Sequence, residues 1–443
     1  MPVHPRVISA SLGRWADPAL AYTALCGDSD AAFWLDSGPS ATTGTSYMGV
    51  AASLTTEFDE PVLDWLRTQR HADAPDLPPG FHLGVVGWLG YELRAETMGT
   101  RVGRVSRYPD AAMLTVTRAL AFDHATHEIT LMALEDIDGF RAEVRAKLDA
   151  TAATSAPAYP ATPHRPRGAI WAYSDAEYLE MITECQAAIF DGDAYQLCLT
   201  MEASVAWDAT PPDPVALYLA LRASSPTHHG ALLRAGAVSL LSASPEQFLS
   251  VTPEGCVTTS PIKGTRARGS TEVADWQLRE ELVTSDKERA ENLMIVDLMR
   301  NDIARVSKIG SVAVTSLMAV ESYAQVHQLV STVRGELIDG LTALDAIKAC
   351  FPAGSMTGAP KRSATDLLDR IEHRARGIYA GAFGYFGADG TVDLAMVIRS
   401  IVMDAAGATI GSGGGITALS VPAEELAEVR LKAAALISVL GAG

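Results

Sequence analysis

The 443-residue chain has few cysteines, no long apolar run and a shortage of positive charge. Each deficit narrows what it can be. Its five cysteines (Cys26, Cys185, Cys198, Cys256, Cys350) are scattered, odd in number and never spaced C-x-x-C. Neither a disulfide framework nor a zinc site is expected, and they read as small buried hydrophobes. No stretch approaches the roughly 20 apolar residues that cross a bilayer, and the opening MPVHPRVISASLGRW lacks the charged-then-apolar pattern of a leader, so a cytoplasmic location is expected. With 35 Lys and Arg against 53 Asp and Glu, the formal net charge is −18, which repels nucleic acid and anionic lipid. A small anionic substrate then needs a local basic pocket.

What is present has the balance of a globular enzyme, 48% hydrophobic and 20% charged, in a chain too long for one ordinary core. The Ala-, Pro- and Thr-rich stretch TAATSAPAYPATPHRPR (151–167) has no apolar period and reads as a linker. The expected division is a sheet-rich unit over 1–150, a linker over 151–170 and a catalytic unit over 171–443. In the first part, FWLDS, SYMGVA, FHLGVVGWLGYEL and AAMLTVTRALAFD read as strands, and helices are scarcer. In the second, 176–190 has helical spacing, LCLTMEASVAW reads as a strand, SLLSASPEQFLSV and VTTSPIKGTR read as a strand pair, and a long helix runs from Ser285 to Ile303 behind a capping box of Ser285 and Glu288. Strands and helices do not alternate strictly, which favours an α+β architecture over a doubly wound sheet. WLGY and AFGY suggest two glycine-tolerant strands of similar kind.

Several segments carry chemistry. Glu288 and Glu291, and again Glu425 and Glu428, are three residues apart, which puts each pair on one helix face. Facing one another, such pairs suit Mg2+, which takes oxygen ligands, keeps several waters and completes its shell with substrate oxygens. The same spacing also suits a solvated face, with Glu288 as a cap and Glu428 paired to Lys432. The run Gly413–Gly414–Gly415 offers bare backbone to a carboxylate, and it does not complete G-x-G-x-x-G because Ile416 holds the last position. Lys263 lies among small, turn-forming residues in SPIKGTRARG, where partial desolvation would make a nucleophile of it. Glu246 in SASPEQF, screened from water, would keep its proton and act as a general acid.

Together GDAYQLCLT, SASPEQFL, PIKGTRARG, DKERAENLMIVDLMRNDIARV, FPAGSMTGAPKRSA, GIYAGAFGYFG, VIRS and GSGGGITALS resemble the signature blocks of the chorismate-binding enzymes, strongly over about 175–436 and more loosely through FWLDS, SYMG and GWLGYE. The resemblance implies a sandwich of two large antiparallel sheets with helices outside. It implies Mg2+ held by Glu291 and Glu428, with Glu288 and Glu425 acting through bound waters. It places Gln196, Tyr379, Arg399, Lys432, Thr265 and the backbone of Gly413 to Gly415 on the carboxylates and ring of chorismate, and Glu246 on the departing C4 hydroxyl.

Two positions set the reaction type that the resemblance implies. Water-using members carry a lysine base where this chain has Gln196, which disfavours hydration of the ring. Anthranilate-forming members read P-I-A-G-T where this chain reads Pro261-Ile262-Lys263-Gly264-Thr265, and the lysine resembles the members that make 4-amino-4-deoxychorismate for para-aminobenzoate and folate. In those, the lysine attacks C2 as the C4 hydroxyl leaves, and ammonia then adds at C4. Such a lysine must lose its proton, so its pKa, about 10.4 in solution, is expected to be depressed. Relatives usually have histidine directly before L-V-S, whereas His327 sits one place early with Gln328 beside Leu329, so the resemblance assigns it no role. No cysteine lies in a G-x-C-x-G elbow, and ammonia is therefore expected from a separate glutamine amidotransferase subunit. Anthranilate synthesis, and a non-catalytic subunit that binds an aromatic amino acid, stand as alternatives.

Overall fold

The computed structural model describes residues 5–69, 72–74, 77–151, 168–208, 210–323 and 326–442, so most of the expected linker lies outside the described residues. Two large antiparallel sheets pack face to face with helices on their outer faces, the α+β sandwich expected. Among the described residues the first sheet has twelve strands and the second ten. Both mix strands from before and after 151–170: Ala31–Asp36 pairs with His229–Ala235 in the first, and Gly84–Leu89 pairs with Ala382–Gly387 in the second.

The two-residue strand period builds the layers. Phe33, Leu233 and Leu240 of the first sheet point into the gap between sheets, where they meet Val86, Trp88 and Phe383 of the second. Their neighbours Trp34, Leu232 and Leu241 point outward, under a cover that includes Tyr22, Val144, Tyr218 and Leu436 from helices. On the far side, Val85, Leu249 and Val333 of the second sheet pack against Ile295, Met299 and Ile303 of the helix Asp286–Ala304. The helix Asp286–Ala304 therefore belongs to the outer face of one sheet and the helix Pro422–Val439, through Ala433 and Leu436, to that of the other.

Local expectations mostly hold. Ser285 caps the long helix by accepting from Glu288 N at 3.4 Å, but the Glu288 carboxylate turns to Arg266 Nη1 at 3.3 Å instead of back to the cap. The WLGY and AFGY segments lie side by side, with Gly87 opposite Gly384. A Cβ on either would stand 2.0 Å from a neighbouring strand's carbonyl oxygen. SASPEQFL differs from the single strand expected: Val238–Ser244 belongs to the first sheet and Gln247–Val251 to the second. Pro245 has no N–H for a ladder, so the chain leaves one sheet there and enters the other with Glu246 at the crossing. All five cysteines are free thiols.

Candidate active site

Of the site residues singled out from sequence, all but Gln196 converge on one open pocket. Its wall includes Glu246, Lys263, Thr265, Glu288, Glu291, Tyr379, Arg399, Gly413, Gly414, Gly415, Glu425, Glu428 and Lys432. Glu288 and Glu425 lie in the first turns of their helices, where the positive end of the helix dipole favours carboxylates, and Glu291 and Glu428 follow one turn further on.

Lys263 lies on the edge strand Ile262–Ala267, where the register against Val326–Glu336 breaks between Ile262 and Thr265. Gly264 takes φ +94 inside that break, a conformation open to glycine at little cost. A Cβ there would stand 2.7 Å from Leu282 and 3.0 Å from Glu288 Oε2. Among the described residues the Lys263 amine makes neither a hydrogen bond nor an ion pair, and it is only partly exposed. Its pKa runs opposite to expectation. Burial opposes the charge, but the Cys198 thiol and the carboxylates of Glu291, Glu246 and Glu428 outweigh it, and the amine is held above the ordinary lysine value. Burial pushes the Cys198 thiol up as well, so at neutral pH it keeps its proton and adds no charge beside the amine.

Glu246 is 7% exposed. Burial raises its pKa above the usual carboxylate value, although Lys263, the Ser355 hydroxyl and the Ile262 amide pull the other way. A protonated carboxyl facing the pocket is what a general acid requires.

The acidic helices face each other closely enough for Lys287 Nζ of one to stand 3.5 Å from Glu425 Oε1 of the other. Glu425 is 3% exposed and accepts from the Ser420 hydroxyl at 2.9 Å. Glu428 pairs with Lys432 at 2.6 Å, the contact anticipated for a solvated face, yet it lines the pocket. Burial opposes its charge, but Lys432, with Lys287 and Lys263 beyond, keeps its pKa below the ordinary value. Glu291 makes no hydrogen bond among the described residues, and burial raises its pKa against the pull of Lys263 and Lys287. Crowded carboxylates of this kind, one without a partner, are a fit for a divalent cation. Among the described residues no three His, Cys, Asp or Glu side chains form a ready chelate, so such an ion would take few protein ligands and retain water, as Mg2+ does.

The opposite wall is built for anions. Arg399 adopts φ +51, a strained conformation for arginine, and has no carboxylate within ion-pair distance among the described residues. Burial lowers its pKa, against Tyr379 and Glu428, without approaching neutrality for such a strong base. Tyr379 lies over Gly411, where a Cβ would stand 2.0 Å from the ring. Lys432 donates to Gly413 O at 2.9 Å. The bare strand at Gly413 to Gly415 pairs with Thr200, Leu199 and Cys198, and a Cβ on Gly414 would stand 3.1 Å from Glu425 Oε2.

Gln196 is not on the pocket wall: it lies buried against the glycine strand, its Nε2 2.0 Å from where a Cβ of Gly415 would be and its Oε1 without a partner among the described residues. His327 also points elsewhere, bonded to Ser322 Oγ at 2.7 Å and Asp275 Oδ1 at 3.1 Å, while Gln328 faces the pocket. A one-place shift along a strand reverses the face, which is why the early histidine misses the site. Sequence reasoning missed Lys287, Ser355 and Cys198 on the pocket wall. Only the position of Lys287 beside Glu288 gave any sign.

The sandwich and its pocket are those of a known class, and a family model for chorismate binding enzyme matches residues 30–438. The chain belongs to the chorismate-binding enzymes. It is 40% identical, over 98% of its length, to an aminodeoxychorismate synthase of Streptomyces griseus, and spans 64% of that relative. It is 37% identical, over 99% of its length, to anthranilate synthase component 1 of Streptomyces coelicolor, covering 89% of that chain. The crystal structure of anthranilate synthase component I from Streptococcus pneumoniae superposes with a TM-score of 0.74 at 27% identity, covering 99% of this chain and 93% of the other.

Proposed function

We propose that this chain converts chorismate and ammonia to 4-amino-4-deoxychorismate, with Lys263 as nucleophile, Glu246 as general acid and Mg2+ as cofactor, for para-aminobenzoate and folate synthesis. The observation that carries the reading is the position of Lys263: an unpaired amine on the pocket wall, among the carboxylates of Glu246, Glu291 and Glu428. The similarity to the Streptomyces griseus protein supports it.

Glu291 and Glu428 would hold the ion directly and Glu288 and Glu425 through water, and a bound Mg2+ would supply positive charge for a substrate carboxylate. Arg399 and Lys432 add charge-assisted hydrogen bonds that fix the ring's orientation. Glu246 gives its proton to the C4 hydroxyl, which leaves as water, as the Lys263 lone pair closes on C2 and both ring double bonds move, C1=C2 to C1=C6 and C5=C6 to C4=C5. Ammonia then bonds to C4, both double bonds return to C1=C2 and C5=C6, and the lysine departs from C2 with its electron pair. The protonated Lys263 of the unliganded pocket is inert, so the amine must lose its proton first. Carboxylates engaged by a cation no longer hold that proton in place.

A separate glutamine amidotransferase would supply ammonia, with free ammonium salts supporting slower turnover, and the site of action would be the cytoplasm. Among the described residues no helix is long and apolar enough to cross a membrane. The second reading, anthranilate synthesis, draws on the fuller length match to the Streptomyces coelicolor protein. Mass spectrometry of products from chorismate, Mg2+ and ammonium separates them. Wild type is expected to give 4-amino-4-deoxychorismate and Lys263→Ala to give little or none, whereas anthranilate fluorescence from wild type would refute the proposal.

A further inference from the structure

The carboxylate helix and the Lys263 strand are joined by a buried polar node. Asn292 follows Glu291 on the helix Asp286–Ala304, is 1% exposed, and faces the strand Val326–Glu336 rather than the pocket. Its Oδ1 accepts from Ser331 Oγ at 2.5 Å and its Nδ2 donates to Leu329 O at 3.3 Å. Ser331 Oγ also accepts from Met318 N at 2.8 Å, an amide in an irregular stretch of the neighbouring strand where Met318 takes φ +53. The Ser331 amide donates to Pro261 O at 3.2 Å, two residues before Lys263. Ser331 thus bonds through its hydroxyl to the residue beside Glu291 and through its backbone amide to the segment that presents Lys263.

We infer that the Asn292–Ser331 node is a positioning device, which sets the Lys263 amine against a ring held from the Glu291 side of the pocket. The inference rests on Lys263 being the nucleophile. Neither Asn292 nor Ser331 lines the pocket, so substrate binding does not pass through them. A small error in the separation of nucleophile and bound ring lowers the chemical step steeply, while the charged groups that bind the ring stay available. The signature is a fall in kcat with KM nearly unchanged.

The test is steady-state amination of chorismate with ammonium by the full chain, alongside thermal melts. Asn292→Ala and Ser331→Val are expected to lose about 10- to 100-fold in kcat, with KM for chorismate within about threefold. Ser331→Thr matches valine in shape and keeps the hydroxyl, so it is expected to retain most of the wild-type kcat. Should Asn292→Ala not fold, the Thr and Val pair carries the test. Equal kcat in that pair, or parallel losses in kcat and affinity, overturns the inference. Lys263→Ala, run in parallel, separates the two ideas: full activity there removes the lysine mechanism, whereas an inactive Lys263→Ala with a fully active Ser331→Val overturns the node alone.

Discussion

The Glu428 carboxylate stands 2.6 Å from the Lys432 ammonium, one turn further along the same helix, and that ammonium also donates to Gly413 O. Any cation that takes Glu428 competes with this lysine, while Glu291 on the facing helix waits without a hydrogen bond among the described residues. Millimolar Mg2+ is therefore expected to raise the melting temperature of the substrate-free protein, by roughly 1–3 °C at saturation. Glu291→Gln and Glu428→Gln should lose most of that shift and about 100-fold or more in amination. An undiminished shift in both variants would place the ion elsewhere.

Glu246 works as an acid only while it keeps its proton, and burial raises its pKa. The protonated form therefore persists to higher pH than in a surface glutamate and is lost as pH climbs through the raised value. Glu246→Gln is expected to slow amination by about 10²- to 10⁴-fold and to flatten the corresponding limb of the kcat profile. A Gln variant with wild-type rate and profile would show that another group supplies the proton.

His82 offers a pH test of stability away from the pocket. Its Nδ1 is 2.7 Å from Asp389 Oδ2 and its Nε2 is 2.7 Å from Pro78 O. Both partners only accept, so the ring must carry both protons, a charged imidazolium. Burial opposes that charge, but the Asp389 carboxylate and the Pro78 carbonyl outweigh it and raise the His82 pKa. Asp389 is shifted the opposite way: burial opposes its charge, but His82 and the Thr391 hydrogen bonds lower its pKa. Stability from His82 is full below its unfolded value of about 6.5 and lost as pH rises through the folded one. That from Asp389 is full above about 3.9 and lost as pH falls through its lowered value. Wild type should therefore lose stability relative to His82→Gln as pH rises from 6 to 8.5. Melting curves whose difference is constant over that range would contradict the pairing.

Gly411 leaves the space that the Tyr379 ring fills. Gly411→Ala is expected to displace the ring from the pocket wall and weaken chorismate binding by about tenfold or more. The check is isothermal titration with chorismate, and unchanged affinity in a folded variant would mean the ring does not support the substrate.

Much of the site was legible because it is written in short local units. Three-residue spacing put Glu288 with Glu291 and Glu425 with Glu428 before any fold was known, since helix geometry does not depend on the rest of the chain. Lys263 and Glu246 stood out for residue type and setting. The face of Gln328 follows from strand alternation once its strand is known. The protonation of Lys263 was misjudged because it depends on Glu246, Glu291 and Glu428, which are distant in sequence or on other elements. Ser355 was missed for a similar reason, as its hydroxyl matters only beside Glu246. The break of SASPEQFL into two sheets was hidden because the sheet each half joins depends on partner strands distant in sequence.

The order of residues alone determined the helices that carry the carboxylates, the strands with their inward and outward faces, and the identity of each reactive group. Those are set by interactions a few residues apart. Only tertiary structure decided that a helix on one sheet and a helix on the other open onto the same pocket, that Lys263 shares it with their carboxylates, which raise its pKa, and that Gln196 is buried against Gly415 off the pocket wall. Such distances and fields come from the packing of two sheets, and no local pattern encodes them.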